Sequence, residues 1–66
     1  MTSEPASRSD ILVESVEGTN GTAEVYEVQE SPSLVVYEVR YGGGAERFES
    51  IGEAYLEAGL KAGRDV

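Results

Sequence analysis

The stretch LVVYEVRY, residues 34–41, decides the fold of this chain. After Leu34 its residues alternate, and one of the two alternating sets is entirely apolar: Val35, Tyr37, Val39 and Tyr41. Alternation with a period of two in β-branched and aromatic residues is typical of a half-buried β-strand. We therefore predict a strand here, with the apolar set facing the core and Val36, Glu38 and Arg40 on the outer face.

A second strand is predicted on the N-terminal side of this stretch. Residues 23–30, AEVYEVQE, alternate moderately, and Ser31-Pro32-Ser33 separates them from the decisive strand. Proline cannot continue a strand ladder, so the tripeptide indicates a turn between two antiparallel strands.

On the C-terminal side, residues 42–45 turn the chain into a short strand that ends at Phe48. Pairing Tyr41 with Ala45 would direct charged residues into the core, and a slip of one residue exchanges the two faces of a strand. We therefore predict the register that sets Phe48 opposite Val39. On the outer face this register places Arg40 beside Arg47 and Glu38 beside Glu49.

Residues 10–17 leave two interpretations open. The β-branched run ILVESVE, 11–17, is followed by Asn20-Gly21, which suits the positive φ angles of a type I′ hairpin turn. The alternative is a short helix with Ser9 or Asp10 as its N-cap and Gly18 as its stop. We predict the strand.

The last segment carries the strongest helix signal. Ser50-Ile51-Gly52-Glu53 has the form of a capping box, good helix formers continue to Ala62, and Gly63 is a natural stop. At helical spacing the chain shows a polar stripe made of Glu53, Glu57 and Lys61. One apolar face consists of Ile51, Ala54, Tyr55, Ala58 and Ala62.

Leu56 and Leu60 form a second apolar stripe, turned away from the first and bordered by small residues such as Gly59. One helix face can pack on one sheet, so leucines on another side call for a second covering surface. We predict an interaction surface made of Leu56, Gly59 and Leu60. The alternatives are a sheet that curls around the helix, or two leucines that are merely exposed singly.

These elements predict an α+β protein: an antiparallel sheet of three to four strands with one C-terminal helix packed on one face. A helix over 10–17 would instead give the order α-β-β-β-α. We expect residues 1–9 to be a disordered tail, 10–63 a single domain, and 64–66 a frayed end. The predicted core consists of Val25, Val35, Tyr37, Val39, Phe48, Ile51, Tyr55 and Ala58.

Composition limits how so small a domain is stabilised. The 66 residues contain no cysteine and no histidine, which excludes disulfides and argues against zinc. Thirteen acidic residues against five basic ones give a net charge of −8, with one lysine among the basic residues. This pattern resembles proteins of salt-in halophiles, particularly haloarchaea, in which concentrated salt screens such repulsion. The alternative is an ordinary acidic protein with an acidic partner-binding face.

Residues 26–30, YEVQE, and 34–44, LVVYEVRYGGG, followed by a short strand and an alanine-rich helix, resemble the β-β-β-α part of a double-stranded RNA-binding domain. The resemblance covers about residues 26–62, and a helix at 10–17 would complete the family's α-β-β-β-α order. That family grips phosphates with a basic cluster at the start of its final helix. This chain has the neutral-to-acidic residues 50–53, SIGE, at that point, so no functional residue is carried over.

The function predicted from these observations is a non-catalytic, salt-adapted protein-interaction module. We expect it to self-associate as a homodimer, through the Leu56/Leu60 side of the helix or through a sheet edge, or else to bind a protein partner. No catalytic, cofactor-binding or metal-binding residue is predicted, because nothing in the chain activates a nucleophile and no acidic cluster resembles a calcium loop. A nucleic-acid-binding module of the double-stranded RNA type is the alternative. The N-terminal sequence resembles no signal peptide and no apolar run is long enough to span a membrane, so we expect a cytoplasmic protein.

Overall fold

The structure, a computed structural model, describes residues 10–64. In chain order its elements are four strands and one helix: β1 Ile11–Gly18, β2 Gly21–Ser31, β3 Leu34–Tyr41, β4 Gly44–Phe48 and α1 Ile51–Ala62. The strands form one antiparallel sheet in the order β1-β2-β3-β4, and the helix packs on one face of it. The α+β prediction with a C-terminal helix is confirmed. The predicted tail over 1–9 falls outside the described residues, as do 65–66 of the predicted frayed end 64–66. Arg64 is described, and its backbone N–H donates to the Gly59 carbonyl over 2.9 Å.

The first strand resolves the choice that the sequence left open. Residues Ile11–Gly18 pair antiparallel with β2, with a bulge between Leu12 and Glu14, so the strand prediction is correct and the α-β-β-β-α order is not formed. The hairpin is also confirmed, but Gly18 pairs with Gly21, so Thr19 and Asn20 form the turn. Gly21 is therefore the first residue of β2, with a φ of 118°.

The register predicted between β3 and β4 is wrong by two residues. Phe48 lies opposite Tyr37 rather than Val39, and Glu38 lies opposite Arg47. The physical reason is the turn: Gly42 and Gly43 both have positive φ angles, 59° and 86°, and make a tight two-residue connection. A shift of two residues keeps every side chain on its face, so Phe48 still packs against the core. The shift also replaces two predicted like-charge pairs with one attractive pair.

The helix begins and ends as the sequence predicts. The Ser50 hydroxyl accepts a hydrogen bond from the Glu53 backbone N–H over 3.4 Å. Gly63 adopts the left-handed conformation and its N–H caps the last turn. Among residues 10–64 there is no helix both long and apolar enough to cross a membrane.

The core differs from the prediction in how the helix is turned toward the sheet. Its buried residues are small or β-branched: Val16, Ala23, Val25, Val39, Ala54, Ala58 and Ala62. Tyr37 and Phe48 pack against this cluster as predicted, whereas Val35 is half-buried outside it. Ile51 and Tyr55, also predicted in the core, are 38% and 39% exposed. Three alanines at every fourth position let the helix approach the sheet closely, which leaves the larger side chains at its rim.

The β1–β2 turn fastens the end of the helix to the sheet. The Thr19 hydroxyl donates to the carbonyl oxygen of Gly63 over 3.1 Å, and the Asn20 side-chain amide donates to that of Lys61 over 3.4 Å. From β3, the Tyr41 hydroxyl donates to the Asn20 carbonyl over 2.6 Å. The last carbonyls of a helix have no intrahelical partner, so the turn supplies bonds that the helix itself lacks.

Candidate interaction surface

Residues of α1 fall into four rows, because side chains four apart lie above one another on a helix. One row is the buried alanines and the next is charged, with Glu53, Glu57 and Lys61. A third row holds Leu56 and Leu60. The fourth row runs through Ile51, Tyr55, Gly59 and the cap residue Gly63.

The leucine row points straight away from the sheet. At about 100° per residue, Leu56 and Leu60 each lie roughly 160° around the helix axis from the buried Ala58. They are 68% and 67% exposed, the highest values among the exposed large hydrophobic residues of the described chain. The sheet does not curl around the helix to cover them. We call the four residues Tyr55, Leu56, Gly59 and Leu60 the leucine face.

A hollow lies within the leucine face. Its volume is about 120 Å³, and it is lined by the four residues of the face together with Arg64. Gly59 forms its floor because it has no side chain, and a Cβ atom placed on Gly59 would meet nothing within 4 Å. The face is therefore a ridge of two leucines beside an apolar depression.

The two flanks of the helix differ in charge. Toward β4, the Lys61 ammonium lies 3.6 Å from Glu57 and 4.0 Å from Glu46. Toward β1, Tyr55 borders a second depression that it shares with Val16, Glu14 and Arg64. The leucine face thus reaches the β1 side through Tyr55, whereas the ion pairs lie on the β4 side.

Neither edge of the sheet offers a long unobstructed strand for pairing. On β1 the ladder is interrupted by the bulge near Leu12, and Arg64 donates from Nε to the Glu17 carbonyl over 3.0 Å. On the other side β4 has only five residues. Bulges, charges and short strands are the usual means of blocking edge-to-edge association. Of the surfaces that the sequence suggested, the helix face is the open one.

The sheet face opposite the helix carries an ion-pair network centred on Glu38. This carboxylate is 8% exposed and accepts from Arg40 Nε over 2.7 Å and from Arg47 Nε over 2.9 Å. The hydrogen bonds of Arg40 with Glu38 and then with Asp10 raise the pKa of Arg40. Because this pKa is raised, the contribution of Arg40 to the free energy of unfolding is present below its ordinary pKa and is lost only at strongly alkaline pH.

Further contacts extend this network across the sheet. Arg40 reaches Asp10 over 2.7 Å and stacks on the Tyr26 ring, with its guanidinium carbon 3.9 Å from the ring centroid. Arg47 also pairs with Glu30. Both arginines of the sheet are thus engaged by carboxylates, so residues 10–64 place no free basic patch for phosphates on this face.

Other features that the sequence raised show no arrangement for chemistry. A depression of about 410 Å³ lies beside the Gly42–Gly43 turn, and its Glu38 and Arg40 are already paired with each other. Tyr37 and Tyr41 are half-buried against the core rather than displayed for base stacking. Across residues 10–64 no three acidic, cysteine or histidine side chains gather as a metal site.

The structure brings together Leu56, Gly59 and Leu60, the three residues named from the sequence, and adds Tyr55 to them. Sequence reasoning missed Tyr55 because it was assigned to the core. The row of alanines at every fourth position could have indicated that Tyr55 lies outside the core, since three alanines already fill one helix face. Comparison of the chain with protein-family models, curated proteins and solved structures gives no match.

Proposed function

We propose that this protein is a non-catalytic interaction module that self-associates through the leucine face in a salt-rich cytoplasm. The observation that carries the proposal is the position of Leu56 and Leu60, which lie opposite the buried side of α1 and are about two-thirds exposed. Two large aliphatic side chains in that position contribute nothing to the core of the single chain. Their burial against another apolar surface is favourable.

The distribution of charge allows a second copy to occupy this face. With a net charge of −8, two copies repel each other over most of their surfaces. The leucine face itself contains no carboxylate, so two copies that meet there keep their acidic side chains at the rim. Concentrated salt screens the remaining repulsion, since the Debye length falls to about 3 Å at 1 M.

The area of the face indicates a weak, reversible dimer. The exposed parts of Tyr55, Leu56 and Leu60 amount to roughly 350 Å², within the range of the largest apolar patches on monomers. Two such faces would bury about 700 Å² of this surface in total, less than the roughly 1,200 Å² at which standard specific interfaces begin. Association should therefore depend on protein concentration.

Sedimentation equilibrium in 2 M KCl, at protein concentrations up to about 1 mM, tests the proposal. We expect the wild-type chain to approach the mass of two copies, and the double variant L56Q/L60Q to stay monomeric with the same circular dichroism spectrum. Glu57→Gln, a change on the charged flank of the same helix, serves as the matched control and should still dimerise.

A wild-type chain that remains monomeric under these conditions would contradict self-association. Retention of the dimer by L56Q/L60Q would contradict the choice of surface. The nucleic-acid alternative is examined with the same samples: a double-stranded RNA that shifts the chain to a larger mass, equally in both variants, would overturn the proposal in its favour.

A further inference from the structure

Gly59 has no role in the packing of the single chain. It lies in the last turn of α1, where it still has helical backbone and glycine is less favourable than alanine. Two other glycines have evident reasons. A Cβ on Gly18 would overlap the Ala62 carbonyl, and Gly63 needs its positive φ for the helix cap. At Gly59 an added Cβ meets open space.

The missing side chain creates a groove beside the leucine row. Leu56 and Leu60 form a ridge along the helix. The neighbouring row has the side chain of Tyr55 but none at its next two positions, Gly59 and Gly63. The resulting hollow of about 120 Å³ lies directly alongside the ridge and has apolar walls. Ridge and groove therefore lie next to each other on one helix, which is the arrangement that a self-complementary contact requires.

We propose that Gly59 keeps this groove open for a leucine of the Leu56–Leu60 ridge of a second copy. Each α1 then places its ridge in the groove of the other. Rows of residues four apart that interlock in this way cross at about 50°, the commonest class of helix contact. This inference rests on the proposed self-association and specifies its contact point.

Two other modes of association, a peptide from another protein and a pairing of sheet edges, would not place a second helix against Gly59. An extended peptide from another protein would bind along the β1 side and would not double the mass of the pure chain. A pairing of sheet edges would leave Gly59 in solvent. A side chain added at Gly59 is therefore a selective probe of the helix crossing.

The experiment compares Gly59→Ala and Gly59→Leu with the wild type in 2 M KCl. Thermal unfolding of dilute, monomeric samples should show Gly59→Ala melting several degrees higher than the wild type, because the helix gains propensity and nothing clashes. Sedimentation should show at least a tenfold weaker dimer for Gly59→Leu, since the leucine fills the groove. Glu57→Leu, the same side chain on the opposite flank, should dimerise like the wild type.

Because the chain has no cysteine, a second measurement is available. A mixture of the Gly59→Cys and Leu60→Cys variants should form a mixed disulfide under mild oxidation, in preference to the Glu53→Cys and Leu60→Cys mixture. A wild-type dimer that Gly59→Leu leaves unchanged would overturn the role of Gly59 while leaving self-association in place. A wild-type monomer would overturn both.

Discussion

The backbone N–H of Asn20 donates to the carbonyl oxygen of Ala62 over 2.7 Å, which joins the β1–β2 turn to the last turn of the helix. The two residues are 42 positions apart in the chain, so this bond closes the fold from one end to the other. It lies in a small cluster in which the Arg64 side chain also donates to the Glu17 carbonyl over 3.0 Å. The turn thus acts as a tertiary cap for the helix C-terminus.

Gly18→Ala should be strongly destabilising. A Cβ atom there would overlap the Ala62 carbonyl and lie 2.8 Å from the backbone nitrogen of Arg64, both of which are backbone groups that cannot rotate away. We expect a loss of about 2–4 kcal/mol in the free energy of unfolding, measured by urea denaturation. Gly59→Ala, where the space is open, is the matched control and should gain up to about 1 kcal/mol. Equal effects at the two glycines would contradict the close contact.

Asn20→Ala should loosen the end of the helix more than it weakens the whole fold. The side-chain amide bonds the Lys61 carbonyl over 3.4 Å at an exposed site, so we expect a loss of about 0.5–1.5 kcal/mol. Amide hydrogen exchange should increase first in the last turn of α1. Gln29→Ala removes a comparable exposed amide, bonded to the Pro32 carbonyl, and should leave the exchange of α1 unchanged. Unaltered exchange in Asn20→Ala would show that its side chain does not fasten the helix.

Local pattern was sufficient to predict the elements but not how they meet. Alternation over 34–41 predicted β3, and the Ser50–Glu53 pair predicted the helix start, because both signals depend on residues close in sequence. The register of β4 was missed since the tight turn at Gly42–Gly43 outweighed the expected match of Phe48 with Val39. The contact between Asn20 and Ala62 joins distant segments, and no local pattern reports it.

The candidate surface was predicted from the sequence except for Tyr55. Leu56 and Leu60 stand out because their row repeats every four residues, whereas the exposure of Tyr55 depends on how far the helix is rotated on the sheet. That rotation follows from the close approach of Ala54, Ala58 and Ala62, an effect of side-chain volume that apolar periodicity alone does not reveal. The direct pairing of Glu38 with Arg47 was missed for a related reason, since it follows from the β3–β4 register.

Glu38→Gln should destabilise the sheet through the two arginines that it leaves without their shared carboxylate. Glu38 is nearly buried, but Arg40 and Arg47 are about one-third and one-half exposed, so we expect a moderate loss of about 1–2 kcal/mol. A double-mutant cycle with Arg47→Gln should show a coupling energy above about 0.5 kcal/mol. Additive effects of the two changes would contradict a direct pair. Glu49→Gln serves as a control for the loss of one negative charge, since Glu49 forms no ion pair within residues 10–64.

The free energy of unfolding should rise with salt concentration. Salt screens both the repulsion among surplus carboxylates and the attraction within ion pairs, and the repulsion is the larger of the two. Glu14, Glu17 and Glu49 are exposed and form no ion pair with any residue of 10–64, so salt screens the repulsion that each feels from the net negative charge of the chain. Urea unfolding in 2 M rather than 0.1 M KCl should show a gain of about 1–3 kcal/mol. The triple variant E14Q/E17Q/E49Q should be more stable than the wild type at 0.1 M and should respond less to added salt. Samples below the concentration of dimerisation separate this effect from association. A wild-type chain equally stable at both salt concentrations would contradict the proposed adaptation, whatever its oligomeric state.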